Sequence, residues 1–163
     1  MLKYYFLLFV LLISGISFSQ SNRWSSISYS YSKGPVSPEY QYNFVININE
    51  NRTGKLIYTK NNKTSEYDFT FGKKRMKKLK KSLKKSKVFS VSPDQMKSEN
   101  NLMGGPEKNL LITKWQSPDL DARPETISIP SQVNEIYSAG IDNLYKEIEN
   151  LVPPDIWAKA KGD

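Results

Sequence analysis

Apolar and polar side chains alternate over residues 40–49, and only Val45 interrupts the polar phase. One phase holds Tyr40, Tyr42, Phe44, Ile46 and Ile48, and the other holds Gln41, Asn43, Asn47 and Asn49. Successive side chains of a β-strand point to opposite faces, so this period of two predicts a strand with one buried side and one solvated side. Such a strand needs partner strands and a covering layer, which limits the folds open to the chain.

Other segments repeat this pattern at short intervals. Residues 24–31 alternate in the same way, and weaker alternation surrounds Leu56 and Tyr58 and again Tyr67 and Phe69. Turn-forming residues separate these segments: Gly34-Pro35, Asn51-Arg52-Thr53-Gly54 and Asn61-Asn62-Lys63. Short connections of this kind predict an antiparallel meander. Residues 109–115 and 126–129 are predicted to add two more strands, whose pairing order the sequence leaves open.

Residues 73–87 form the most basic segment of the chain, because ten of the fifteen are Lys or Arg. They are Lys73, Lys74, Arg75, Lys77, Lys78, Lys80, Lys81, Lys84, Lys85 and Lys87. Met76, Leu79 and Leu83 recur between them at helical spacing, with Ser82 and Ser86 beside them. The segment is therefore predicted to be a helix that packs on the sheet through a narrow apolar stripe.

A second amphipathic helix is predicted after Ser131, which we interpret as its N-cap. Its apolar stripe is expected to comprise Val133, Ile136, Gly140, Leu144, Ile148 and Leu151. Pro153-Pro154 should end it, leaving a short tail anchored by Ile156 and Trp157, while residues 90–108 are predicted to be a long polar loop. The predicted fold is a single α+β domain over residues 20–163: an antiparallel β-meander of about four to six strands with one apolar face covered by two amphipathic helices.

Residues 1–19 have the composition of a signal peptide. Lys3 precedes an uncharged apolar stretch over residues 4–13, and Ser17 and Ser19 supply small residues for cleavage. An uncleaved anchor is the alternative, but the stretch is shorter than the roughly 20 residues that a bilayer requires. No Cys follows it for lipid attachment, and no later segment is apolar enough to cross a membrane. We therefore expect export, to the periplasm or outside the cell.

The chain contains neither His nor Cys. This removes the commonest general base, the usual partner of a serine nucleophile and the main zinc ligands. We expect a protein that is not an enzyme and carries no cofactor or metal. A carboxylate-based hydrolase using Asp94, Glu99, Asp119 or Asp121 is the remaining enzymatic alternative. Asp119, Asp121 and Glu125 lack the spacing of a calcium loop and are interpreted as a charged turn.

Six tyrosines share the phase of the apolar strand residues: Tyr29, Tyr31, Tyr40, Tyr42, Tyr58 and Tyr67. Tyrosine is common at recognition surfaces, but this phase favours a mixed core whose hydroxyl groups reach its rim.

The positive charge is concentrated in one element. The net charge of the chain is +8, yet residues 88–163 contain seven basic and twelve acidic residues. We predict that Lys73, Lys74, Lys77, Lys78, Lys80, Lys81, Lys84 and Lys85 contact an acidic protein, as in an inhibitor or immunity protein. Anionic lipid or glycan of the cell envelope is the alternative partner. Nucleic acid is disfavoured for an exported protein, and the oligomeric state is left open. A third interpretation is a solvated face partly neutralised by acidic residues within 94–125.

Overall fold

The computed structural model describes residues 23–34, 36–37, 40–99, 104–117 and 123–162. Six strands form one antiparallel sheet: β1 (Trp24–Ser32), β2 (Tyr42–Asn49), β3 (Thr53–Lys60), β4 (Lys63–Thr70), β5 (Glu107–Lys114) and β6 (Thr126–Ile129). Their spatial order is β4-β3-β2-β1-β5-β6. The predicted α+β fold with an antiparallel sheet is confirmed. The predicted signal peptide lies outside the described residues.

Turn chemistry helps to fix the register of the three strands β2, β3 and β4. Asn61 and Asn62 are the two residues between β3 and β4, with φ of 52° and 59°. A two-residue hairpin of type I′ requires positive φ at both central residues, and Asn tolerates this conformation better than most residues do. Between β2 and β3, Arg52 takes a φ of 72°, and the Asn51 side chain accepts a hydrogen bond from the Thr53 backbone N–H at 3.1 Å.

The last two strands extend the sheet from β1, and not from β4. β5 pairs with β1 over most of its length, so that Tyr29 lies opposite Leu110, and β6 continues outward from β5. The strand that begins the meander therefore lies inside the sheet, between β2 and β5. This is the pairing order that the sequence left open.

Four helices lie in the described part of the chain: α1 (Lys73–Lys85), α2 (Pro93–Met96), α3 (Glu135–Glu149) and α4 (Pro154–Lys161). Buried side chains of the sheet share one core with those of the two long helices. The helical members are Met76, Leu79 and Leu83 from α1, and Ile141, Leu144, Tyr145 and Ile148 from α3. The prediction of two helices was thus too low, because α2 lies inside the predicted loop and α4 inside the predicted tail.

The start of α3 corrects the predicted N-cap. Asn134, and not Ser131, caps the helix, and its side chain accepts a hydrogen bond from the Ile136 N–H at 3.2 Å. Val133 cannot be helical because it forms a β-bridge with Lys97. The predicted stripe was also wrong at Ile136, which is 81% exposed in the first turn of α3.

The six tyrosines differ in how deeply they are buried. Tyr29 and Tyr58 are buried, whereas Tyr31, Tyr42 and Tyr67 are partly buried and pack against the core. The prediction of a mixed core holds for these five. Tyr40 was assigned wrongly, since it precedes β2 and is 61% exposed.

Candidate binding site on the lysine helix

Helix α1 is called the lysine helix below. Its formation is opposed by cations near its N-terminus and by repulsion between cations four residues apart. Gly72 at the N-cap offers no side-chain hydrogen bond, and the first turn contains no acidic residue. Cations near a helix N-terminus are unfavourable by roughly 0.3–1 kcal/mol each, and like charges four residues apart by a few tenths. Burial of Met76, Leu79 and Leu83 opposes this, at roughly 1.5–3 kcal/mol for each fully buried side chain. Tertiary packing therefore decides the conformation of this segment.

Polar contacts with α3 and with Leu151 after it fix the orientation of the lysine helix. The buried Ser82 hydroxyl accepts a hydrogen bond from Asn143 Nδ2 at 2.9 Å, and Arg75 Nη1 donates to the Leu151 carbonyl at 3.2 Å. At the other end of the lysine helix, a Cβ on Gly140 would lie 3.2 Å from Ser86 Cα. The two helices therefore approach each other closely where Gly140 lies, and the basic side chains are left on the outside.

All ten basic side chains of residues 73–87 are exposed. Among the described residues, none of the ion pairs within 4.0 Å includes any of them. The predicted internal neutralisation does not involve Glu125, which pairs with Lys114 at 2.8 Å. Asp119 and Asp121 lie outside the described residues. Within the described chain, the positive charge of the lysine helix thus faces solvent.

The larger of two cavities beside the lysine helix has a volume of about 730 Å³. Its aromatic lining comes from β2, β3 and α4, and its charged lining mixes both signs. The lining includes Tyr42, Phe44, Tyr58 and Trp157, the cations Arg75, Lys78 and Lys161, and the acids Glu147 and Glu149. The mixed charges give this cavity no preference for anions.

Glu149, which lines the larger cavity, is hydrogen-bonded to a tyrosine of the core. Its Oε1 accepts a hydrogen bond from the hydroxyl of Tyr29 at 3.0 Å, and Tyr29 is fully buried. Burial, and then the adjacent carboxylate, raise the pKa of Tyr29 well above its usual value. The Tyr29 ring stacks on Tyr145 with centroids 4.8 Å apart. Glu149 therefore supplies the hydrogen-bond acceptor for a buried hydroxyl group.

The smaller cavity has a volume of about 310 Å³ and lies where the lysine helix ends beside the start of β1. Its lining is Arg23, Trp24, Glu50, Lys80, Leu83, Lys84, Lys87, Phe89 and Ser90. Four of these nine residues are cations and one is an acid. Unlike the larger cavity, it combines a clear excess of positive charge with an apolar wall.

The structure separates the predicted site residues into groups. Lys80 and Lys84 line the smaller cavity and Lys78 lines the larger one. The other five point to solvent away from both: Lys73, Lys74, Lys77, Lys81 and Lys85. The predicted contact residues omitted four basic residues that line the cavities: Arg23, Arg75, Lys87 and Lys161. Arg23 and Lys161 are far from the lysine run in sequence, and only the folding of β1 and α4 brings them beside these cavities.

The enzymatic alternative named four carboxylates, of which the structure describes two, Asp94 and Glu99. Asp94 lies on α2 and Glu99 follows it, and neither lines the two cavities, while Asp119 and Asp121 lie outside the described residues. Over the described ranges, no group of three or more His, Cys, Asp or Glu side chains is placed to hold a metal ion. No helix within those ranges is both long and apolar enough to cross a membrane.

Comparison with known proteins gives no family assignment. No protein-family model matches the chain, and no curated protein is significantly similar to it in sequence. The site must therefore be interpreted from its own geometry.

Proposed function

We propose that this is an exported, non-enzymatic interaction protein that binds an acidic protein through the lysine helix. The observation that carries the proposal is the set of ten exposed cations on residues 73–87, without an ion-pair partner among the described residues. Charges that face solvent on one element create a field that attracts an oppositely charged surface and accelerates association.

Packing of the lysine helix favours a protein over a bilayer as the partner. Its apolar side chains Met76, Leu79 and Leu83 are buried in the core, so it has no apolar face to insert among lipid tails. Arg75 and Lys78 on one flank and Lys80 and Lys84 on the other border cavities. An acidic protein can place carboxylates against cations on more than one side of the lysine helix, whereas a planar membrane surface meets one side only.

The test is retention of a partner by immobilised protein from envelope extract of the source cells. In the test variant Lys77, Lys80, Lys81 and Lys84 are changed to Glu. The matched control changes Lys60, Lys63, Lys97 and Lys146 to Glu, four exposed lysines elsewhere, and so alters the net charge equally. We expect the test variant to lose the partner and the control to retain it, with binding that weakens as salt increases.

Two results would contradict the proposal. One is equal retention by the unchanged protein and the test variant. The other is salt-sensitive sedimentation with phosphatidylglycerol vesicles when no protein is retained, because the partner would then be anionic lipid. The export component has its own test, since N-terminal sequencing of the protein from cells should find the chain beginning near residue 20.

A further inference from the structure

The smaller cavity brings together three segments that are distant in sequence. Arg23 and Trp24 lie at the start of β1, Glu50 follows β2, and the third segment runs from Lys80 in the lysine helix to Ser90 beyond it. Its volume of about 310 Å³ lies at the lower end of the range for small-molecule sites. It is therefore large enough for a small ligand and too small for a folded segment of another protein.

Charge in this cavity favours an anion. Lys80, Lys84, Lys87 and Arg23 line it, with Glu50 as its single acidic residue. Glu50 Oε1 lies 4.0 Å from Arg23 Nη2, at the limit of an ion pair, and both side chains are substantially exposed. Such a contact neutralises little. The three lysines are then left without a counter-charge among the described residues lining the cavity.

The apolar part of the lining adds a second requirement. Trp24 and Leu83 are almost fully buried and form part of the wall, and Phe89 is partly buried beside them. An inorganic anion would contact the lysines and leave this wall wetted, whereas a neutral hydrocarbon would leave the ammonium groups without a partner. A ligand with a charged head and an apolar body satisfies both.

The backbone conformation of Lys87 decides which substitution can be made there. Lys87 lies just after Ser86, the C-cap of the lysine helix, with a φ of 60°. Glycine is the usual residue at this left-handed position because a side chain there is strained. The chain instead places a lysine there, and that residue lines the cavity.

We infer that the smaller cavity binds a small amphipathic anion, a carboxylate or sulfonate on an apolar body of roughly ten to fifteen non-hydrogen atoms. The inference stands apart from the proposed function, since a protein partner could bind the lysines of the helix that line neither cavity, with this cavity filled or empty.

Calorimetric titration with three probes tests whether tight binding requires both the charge and the apolar surface of the cavity. Octanoate carries both features, acetate carries the charge alone and octanol carries the chain alone. We expect octanoate to bind at least about tenfold more tightly than either of the others, because only it uses both parts of the lining. Equal affinity for octanoate and acetate would overturn the inference.

A matched pair of triple variants locates the site. Lys80→Gln, Lys84→Gln and Lys87→Gly remove the cavity lysines, and glycine accepts the φ at position 87 without strain, so folding is retained. The control, Lys74→Gln, Lys77→Gln and Lys81→Gln, removes as many charges from the same helix outside the cavity. We expect about a tenfold loss of octanoate affinity in the first variant and less than about a twofold change in the control.

Equal losses in the two variants would show that octanoate responds to the general field of the helix, and would overturn the inference. Displacement of octanoate by phosphatidylglycerol vesicles would show that the cavity binds a lipid headgroup, and would also overturn the inference. Failure of the proposed function would be seen instead as absence of a retained protein partner, with octanoate binding unaffected.

Discussion

The stacked rings of Tyr29 and Tyr145 differ in what their hydroxyl groups contact. Tyr29 donates to Glu149 at 3.0 Å, whereas the buried Tyr145 hydroxyl has no hydrogen-bond partner within the described part of the chain. Both pKa values are raised by burial, that of Tyr145 to about 12. The hydroxyl groups of the two stacked tyrosines should therefore contribute differently to the free energy of unfolding.

Removal of these two hydroxyl groups should have different effects on stability. Tyr29→Phe is expected to lower the free energy of unfolding by about 1–3 kcal/mol, because the Glu149 carboxylate loses its donor. Tyr145→Phe should leave stability unchanged or raise it by about 1 kcal/mol, because it removes an unpaired buried polar group. Urea denaturation of both variants measures the difference. A loss of stability in Tyr145→Phe equal to that in Tyr29→Phe would contradict the assigned contacts.

The same tyrosines predict a decline of stability at alkaline pH. Their folded-state pKa values lie above the ordinary value of 10.0, so the folded chain retains protons that the unfolded chain releases. The stabilisation is complete below pH 10 and is lost as the pH rises toward the folded-state values. We expect urea denaturation to show this loss, and Tyr145→Phe to reduce it. Lysine titration is common to both proteins and cancels in the comparison, so identical losses would contradict the prediction.

Among the secondary-structure elements, the lysine helix and α3 depend on a close contact at Gly140. A Cβ at this position would lie 3.2 Å from Ser86 Cα and 3.5 Å from the Lys85 carbonyl oxygen. Both neighbours are backbone atoms, which cannot rotate away as a side-chain tip could. The distance between the two helices is therefore set by the absence of a side chain.

A large side chain at this contact should separate the helices. Gly140→Leu is expected to lower the free energy of unfolding by about 1–3 kcal/mol through overpacking. Ala139→Leu is the matched control, because Ala139 is exposed on the same helix and should change stability by less than about 0.5 kcal/mol. Thermal or urea denaturation compares the two, and equal effects would argue against the close contact.

For the molecule as a whole, the net charge of +8 arises from one element on an otherwise slightly acidic chain. Lys77 lies four residues from both Lys73 and Lys81, and Lys81 lies four residues from Lys85. Within the described residues no acid within 4.0 Å relieves these repulsions. The fold therefore tolerates a charge arrangement that lowers its stability.

Neutralising two of these lysines should stabilise the protein when salt is low. Lys77→Gln with Lys81→Gln removes three repulsive pairs, each unfavourable by roughly 0.2–0.5 kcal/mol, for a gain of about 1 kcal/mol. The gain should vanish near 1 M salt, where the screening length falls to about 3 Å. Denaturation at the two salt concentrations tests this. Lys97→Gln with Lys146→Gln is the control and should show no such gain, and a gain independent of salt would contradict the electrostatic cause.

Local periodicity predicted most of the elements correctly. Residues 24–31 and 40–49 were predicted as strands and form most of β1 and β2, and the lysine helix ends within two residues of its predicted limit. Two missed helices also had local signals. Ser92 and Gln95 form a capping box around α2, and Pro154 occupies the first turn of α4, where proline is well tolerated.

The start of α3 could not be predicted from its own residues. Ser131 is a chemically suitable N-cap, yet residues 132–134 are held outside the helix by contacts with the end of α2 and the residues after it. The Ser98 N–H donates to the Gln132 carbonyl at 3.0 Å, and the Asn134 N–H donates to the Met96 carbonyl at 2.8 Å. These bonds join parts of the chain more than thirty residues apart, so local capping preference could not reveal them.

The sequence by itself determined the antiparallel sheet, the lysine helix and the concentration of charge, because each follows from residue spacing along one segment. Only the tertiary structure decided the placement of β5 beside β1 and the grouping of the basic residues. Arg23 and Lys87 line one cavity because β1 begins where the lysine helix ends. Periodicity shows which side of a segment is buried, but which side chains meet depends on contacts between segments that are far apart in the chain.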